Sequence, residues 1–115
     1  MLKVYGIPNC DTVKKALVWL KNHKLAYEFH DYKKSGIDQT KLEEWLIQIP
    51  YDKLVNRAGT TFKKLTEEEK SKIIDNSSAI ALMIEKTSVI KRPIIESEGI
   101  LVVGFKEDEY QAVFG

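Results

Sequence analysis

Three residue positions carry most of the chemistry this sequence offers: Cys10, Arg57 and Arg92. Cys10 is the single cysteine. It follows a short apolar run, Leu2 to Tyr5, and the loop Gly6-Ile7-Pro8-Asn9, which holds two strong helix breakers. Beyond it, Val13, Ala16, Leu17 and Leu20 recur at the spacing of an amphipathic helix. Cys10 is thus expected where that helix begins. The first N–H groups of a helix have no partner inside it, and its dipole favours negative charge at that end. A thiol there is drawn toward the thiolate, its nucleophilic form, and the same N–H groups suit a substrate oxyanion. Elsewhere in a fold, a free cysteine is a small buried hydrophobe. Position, not residue type, therefore carries the reactive reading.

The neighbours of Cys10 limit what it can do. The run is Cys10-Asp11-Thr12-Val13, so Val13 stands where a Cys-x-x-Cys motif would carry its second thiol. The chain cannot act alone as a dithiol oxidoreductase. Turnover through a disulfide needs an outside thiol, either glutathione or a partner protein. Asp11 opposes thiolate formation by like charge. Lys14 and Lys15, one turn on, either offset it or form a solvated helix face. Arg57 and Arg92 are the only arginines among 18 Lys and Arg residues. A guanidinium is a fixed fork that fits oxyanions and carboxylates. The competing role for each is a surface ion pair.

The elements that must position these residues can be read in order. Leu2 to Tyr5 predicts a strand, and the helix from Cys10 is expected to end at Asn22-His23. Tyr27, Phe29 and Asp31 alternate with Glu28, His30 and Tyr32, the pattern of a second strand. Strand, helix and strand within about thirty residues form a βαβ unit with parallel strands and a right-handed crossover. Asp38 is placed to cap a helix with Leu42, Trp45, Leu46 and Ile49 on one face, and Ile37 with Leu42 makes a hydrophobic staple. Pro50 ends it. Thr66 and Glu69 form a capping box for a short helix through about Ile74. Thr60 and Thr61 are read as caps for the helix that follows them. Asn76 or Ser77 is expected to cap another, with Ile80, Met83 and Ile84 facing inward. Pro93 to Glu96 and Ile100 to Val103, joined by Ser97-Glu98-Gly99, predict a hairpin. Glu107, Asp108 and Glu109 suit the first turn of a last helix that buries Tyr110, Val113 and Phe114. The order βαβ, helical segment, ββα predicts an α/β mixed sheet flanked by helices, with the helical segment as an insertion and no internal domain boundary.

Composition sets outer bounds. The 115 residues suit one domain with a single core. Hydrophobic residues are 43% and charged residues 30%, the balance of a globular chain. A net charge of +1 argues against a dominant attraction to nucleic acid or membrane. With one cysteine, an oxidised disulfide scaffold is excluded and a reducing cytoplasm is expected. The N-terminus lacks the pattern of a signal peptide, and no apolar run approaches the roughly 18 residues of a membrane span. His23 and His30 show no metal-ligand spacing. A monomer is expected.

The run Val4-Tyr5-Gly6-Ile7-Pro8-Asn9-Cys10-Asp11-Thr12-Val13-Lys14-Lys15-Ala16 resembles the arsenate reductase (ArsC) family, whose superfamily also includes the Spx regulators of RNA polymerase. His30-Asp31-Tyr32, Asn56-Arg57-Ala58-Gly59-Thr60-Thr61-Phe62-Lys63-Lys64-Leu65 and Ile90-Lys91-Arg92-Pro93-Ile94 resemble its YffB-like branch. The similarity spans essentially the whole chain. It implies one thioredoxin-like (glutaredoxin-like) ArsC-type domain over residues 1–115, with a helical insertion at about 37–87. It further implies Cys10 as the catalytic nucleophile, Arg57 and Arg92 as the arginines that hold an anion, and substrate contacts at Asn9, Asp11, Thr12 and Pro93. The Arg92-Pro93 bond is implied to be cis. Where arsenate reductases carry a third arginine near the last strand, this chain reads Val103-Gly104-Phe105-Lys106. That departure shifts the expected substrate from arsenate toward glutathione, whose carboxylates also suit two arginines. The expected function is a glutathione-dependent thiol or oxyanion reductase with no bound cofactor, glutathione as cosubstrate, and glutathione or a glutaredoxin-like protein as partner. The alternatives are an Spx-like regulator that binds RNA polymerase, a true arsenate reductase, and a binding module in which Cys10 is inert.

Overall fold

The computed structural model describes residues Met1–Gly115. Its elements in chain order are β1 Leu2–Gly6, α1 Asp11–Asn22, β2 Tyr27–Asp31, α2 Tyr32–Ser35, α3 Gln39–Gln48, α4 Tyr51–Leu54, α5 Thr60–Lys63, α6 Glu67–Ser71, α7 Asn76–Glu85, β3 Ile94–Ser97, β4 Ile100–Val103 and α8 Glu107–Phe114, with a 3-10 turn at Thr87–Val89 before β3. They divide into two compact units. One joins Met1–Asp31 to Arg92–Gly115; the other is Tyr32–Lys91.

The first unit is a four-stranded mixed sheet in the order β2-β1-β3-β4. β1 and β2 are parallel, with Val4 opposite Phe29 and Gly6 opposite Asp31. β3 is antiparallel to both β1 and β4. Strand alternation puts Val4, Ile95 and Val102 on one face. That face is covered by Ala16, Trp19 and Leu20 of α1 and by Tyr110 of α8. The spacing that predicts α1 thus reports a real buried stripe. Tyr110 meets Trp19, Phe105 and Phe114 edge-on, at centroid distances of 5.4, 4.9 and 5.5 Å. Its hydroxyl donates to the Gly104 carbonyl at 2.6 Å, so a buried polar tip is satisfied. Val113, expected on the buried face of α8, is instead 40% exposed; Tyr110 alone supplies the fully buried contact of this short helix.

The hairpin predicted near the C-terminus is present, one residue later at each end of its first strand than expected. Glu98 and Gly99 form its turn with φ of 49° and 83°. Positive φ at both central residues matches the right-handed twist of the strands. Gly104 also has positive φ, 79°, and its N–H donates to the Pro93 carbonyl at 2.8 Å, extending the β3–β4 pairing toward Arg92.

The helical unit runs over Tyr32–Lys91. Tyr32, read as the end of a strand, opens α2 instead. Buried Leu42 and Trp45 of α3, Leu54 of α4, Met83 of α7, and Val89 and Ile90 are among its core residues. α3 packs on α7. A bridge between Val55 and Ile90 closes the unit, with the Asn56 N–H donating to Val89 and the Lys91 N–H to Leu54. Asp38 caps α3 through the Lys41 N–H at 2.8 Å, and Thr66 with Glu69 forms the expected box. Four readings need correction. α6 ends at Ser71, short of Ile74. α7 is capped by Asp75 in a reciprocal box with Ser78, which leaves Asn76 and Ser77 inside the first turn. Its buried residues are Ala79, Ile80, Leu82 and Met83, whereas Ile84 is 42% exposed. Thr60 and Thr61 lie within α5, whose N-cap is Gly59. Pro50 does follow the end of α3, but it is also the N-cap of α4, where its fixed φ suits a helix start and its missing N–H costs nothing.

Candidate active site

Gly6 ends β1, and the loop through Pro8 and Asn9 leads into α1. Cys10 is the N-cap, in extended backbone conformation, and its carbonyl accepts the first helical bond from the Lys14 N–H at 2.9 Å. A Cβ on Gly6 would come within 2.9 Å of Val13 Cγ2 and 3.8 Å of Arg92 Cβ. The bare glycine therefore lets the first turn of α1 and the Arg92 backbone close on the end of β1. Val13 is fully buried there. The position that would hold a second thiol is a packing contact instead. Gly6 was not singled out from sequence as a site residue. Its signal was a glycine at the end of a strand, directly before the loop that carries the cysteine.

Cys10 is half-buried. Burial alone would raise its pKa. That effect is outweighed by the Val13 N–H, by hydrogen bonding to and the charge of the Arg92 guanidinium, and by the Thr12 N–H. The net result holds the thiol below the ordinary cysteine value. Helix start and arginine thus act on one sulfur, and both favour the thiolate. Such an arrangement can serve as a nucleophile, beside a cation able to take an anionic group.

The remaining expected residues fall as follows. Arg92 comes together with Cys10, and the Arg92-Pro93 peptide bond is cis. Pro93 is buried. Asn9, Asp11 and Thr12 flank Cys10 in the loop and first turn and are exposed. Arg57 belongs to the helical unit, in the exposed turn before α5, with its guanidinium carbon 5.6 Å from the centre of the Phe62 ring. Phe62 also lies under Lys70 at 5.8 Å, so cation–ring contact rather than an ion pair accounts for the local setting of Arg57. No helix is long and apolar enough to cross a membrane.

Comparison with known proteins agrees with this geometry. The family model described as the ArsC family matches residues 5–113. The chain is 45% identical over 114 residues to an uncharacterized protein of Haemophilus influenzae, covering 99% of each. It is 28% identical to the global transcriptional regulator Spx of Streptococcus agalactiae, covering 97% of this chain and 82% of that one. Among solved structures, the YffB protein is 48% identical with a TM-score of 0.95 and full coverage of both chains. An arsenate reductase (ArsC) related protein from Brucella melitensis is 50% identical with a TM-score of 0.78, covering 98% of this chain and 93% of the other. The fold is thus the thioredoxin-like α/β fold of these relatives, and the chain belongs to the ArsC family.

Proposed function

We propose that this protein is a monothiol reductase that works through Cys10 and uses glutathione as its cosubstrate. The observation that carries the reading is the meeting of Cys10, the N-terminus of α1 and Arg92, which lowers the thiol pKa in a chain whose next candidate thiol position is a buried Val13. The Cys10 thiolate attacks one sulfur of an oxidised disulfide substrate. A Cys10 mixed disulfide forms, and the other sulfur leaves as a thiolate. Glutathione thiolate then attacks the mixed disulfide, and Cys10 leaves as the thiolate it began as. Arg92 holds a carboxylate of the incoming peptide thiol and stabilises sulfur charge in both displacements. The family resemblance adds Arg57 as a second anion-holding arginine.

Disulfide reduction is favoured over arsenate reduction because Val103–Lys106 offers no third arginine for a fully charged oxyanion. The likeness to Spx supports a second reading, binding to RNA polymerase, but a Cys-x-x-Cys switch is ruled out by Val13. The test is to assay disulfide and arsenate reduction side by side with glutathione and glutaredoxin, for wild type and Cys10→Ser. Disulfide reduction that disappears in Cys10→Ser is the expected result; activity that survives the substitution would remove Cys10 from the mechanism.

A further inference from the structure

A second feature lies on the same helix as the thiol. A groove of about 620 Å³ is lined by Lys14, Lys15, Val18, Trp19 and Asn22 of α1 and by Phe105 and Glu107 at the start of α8. Its floor is apolar and open: Val18 is 56% exposed, and Trp19 and Phe105 form the deeper wall. A solitary exposed valine needs no explanation, but an open aromatic-lined trough beside it does. Neither Lys14 nor Lys15 is paired with a carboxylate within the chain. Two cations, Lys14 and Lys15, and one carboxylate, Glu107, thus line the same groove with its apolar residues.

The groove also begins one helical turn from Cys10. Lys14 and Val18 share one side of α1, and Lys14 follows Cys10 by one turn of chain. From Lys14 to Asn22 the helix rises ~12 Å, the length of about four residues of extended chain. A molecule joined to Cys10 through a disulfide would meet the two lysines first and the apolar strip next.

We propose that this groove docks the protein segment that carries the exchanging thiol, an extended stretch with carboxylates against Lys14 and Lys15 and an apolar side chain over Val18, Trp19 and Phe105. The inference rests on the reading of Cys10 as an exchanging thiol and adds the partner: a protein thiol in an acidic and apolar context. The step is the exchange already described. The Cys10 thiolate attacks the partner's disulfide sulfur, the new S–S bond joins the two proteins, and the partner's former disulfide mate leaves as its thiolate.

The test measures second-order rates of Cys10 with three thionitrobenzoate mixed disulfides, read by the released yellow thiolate. One is made from a cysteine peptide bearing glutamates and a leucine within about four residues of the cysteine. Another has lysines in place of the glutamates, and the third is made from glutathione. The acidic peptide should react about tenfold faster than the basic one, as a few surface charge contacts and one apolar contact allow. Val18→Glu should slow the acidic peptide while leaving the glutathione rate unchanged, and Lys14→Glu with Lys15→Glu should reverse the preference when rates are taken relative to glutathione. Equal rates for the two peptides, or a preference unmoved by these variants, would overturn the groove assignment while leaving the Cys10 reading intact. No reaction with any probe would instead overturn the Cys10 reading itself. A concentration-dependent dimer abolished by Val18→Glu would assign the groove to a second copy of the chain and overturn the proposal.

Discussion

At the scale of single residues, Cys10 works through partners whose effects have opposite signs. Burial pushes its pKa up, while the Val13 and Thr12 N–H groups and Arg92 pull it down further. Removing Arg92 leaves the helix start but takes away the only side-chain cation acting on the sulfur. Arg92→Ala should therefore slow iodoacetamide alkylation at neutral pH several-fold. Arg92→Lys should restore part of the rate, since it keeps the charge but loses the planar fork. The shift also has a consequence for stability. A pKa depressed in the folded state adds stability that is present above the unfolded cysteine value and lost as pH falls through the folded value. Urea unfolding of wild type relative to Cys10→Ser should show that difference growing from acidic to alkaline pH across this window. A difference independent of pH would mean that the folded and unfolded thiols titrate alike. Cys10 and its placement were legible because a single cysteine preceded an unmistakable helical stripe. The scarcity of arginine and the following proline singled out Arg92, but nothing in its local sequence says that it lies beside a sulfur 82 positions away in the chain.

At the scale of elements, the site depends on how closely β1 and α1 approach. The Gly6 backbone lies where any Cβ would collide with the fully buried Val13. Gly6→Ala should cost about 1–3 kcal/mol by forcing this contact apart, and it should also raise the Cys10 pKa by moving the helix start away from Arg92. Paired denaturation and alkylation measurements would separate those effects. A stability loss with an unchanged alkylation profile would show that packing and reactivity are not coupled here. Tyr110→Phe tests the other end of the sheet. Losing the hydrogen bond to Gly104 should cost about 1 kcal/mol, with no effect on Cys10 reactivity. Long elements were readable because their periodicity is averaged over several turns. α2, α4 and α5 are single turns that bury Tyr32, Leu54 and Phe62 respectively. One apolar residue per helix has no period, so tertiary packing rather than local pattern makes them helical. The α7 cap was misread for a related reason. Asp75 and Ser78 form a box with serine in the place usually taken by a longer side chain, and the neighbouring Asn76 and Ser77 have equal capping propensity.

At the scale of the whole molecule, this is an ArsC-family chain with one thiol, a sheet unit that contains Cys10 and Arg92, and a helical unit that contains Arg57. The order of the sheet elements was readable because both strand pairs lie close in sequence, β1 with β2 and β3 with β4. The antiparallel pairing of β1 with β3 was not, because the whole of Tyr32–Lys91 separates the two strands. Arg57→Ala should reduce turnover with a glutathione-containing disulfide more than it alters iodoacetamide alkylation, because the neutral reagent needs no anion site. Equal loss in both assays would contradict anion binding by Arg57. The fold holds the Cys10 thiol below its ordinary value, toward the thiolate. The most direct measurement is the rate of iodoacetamide alkylation of Cys10 across pH, in wild type and Arg92→Ala. A wild-type midpoint below the ordinary cysteine value of about 8.5, rising in the variant, is the predicted result. A midpoint at the ordinary value in both proteins would contradict the account.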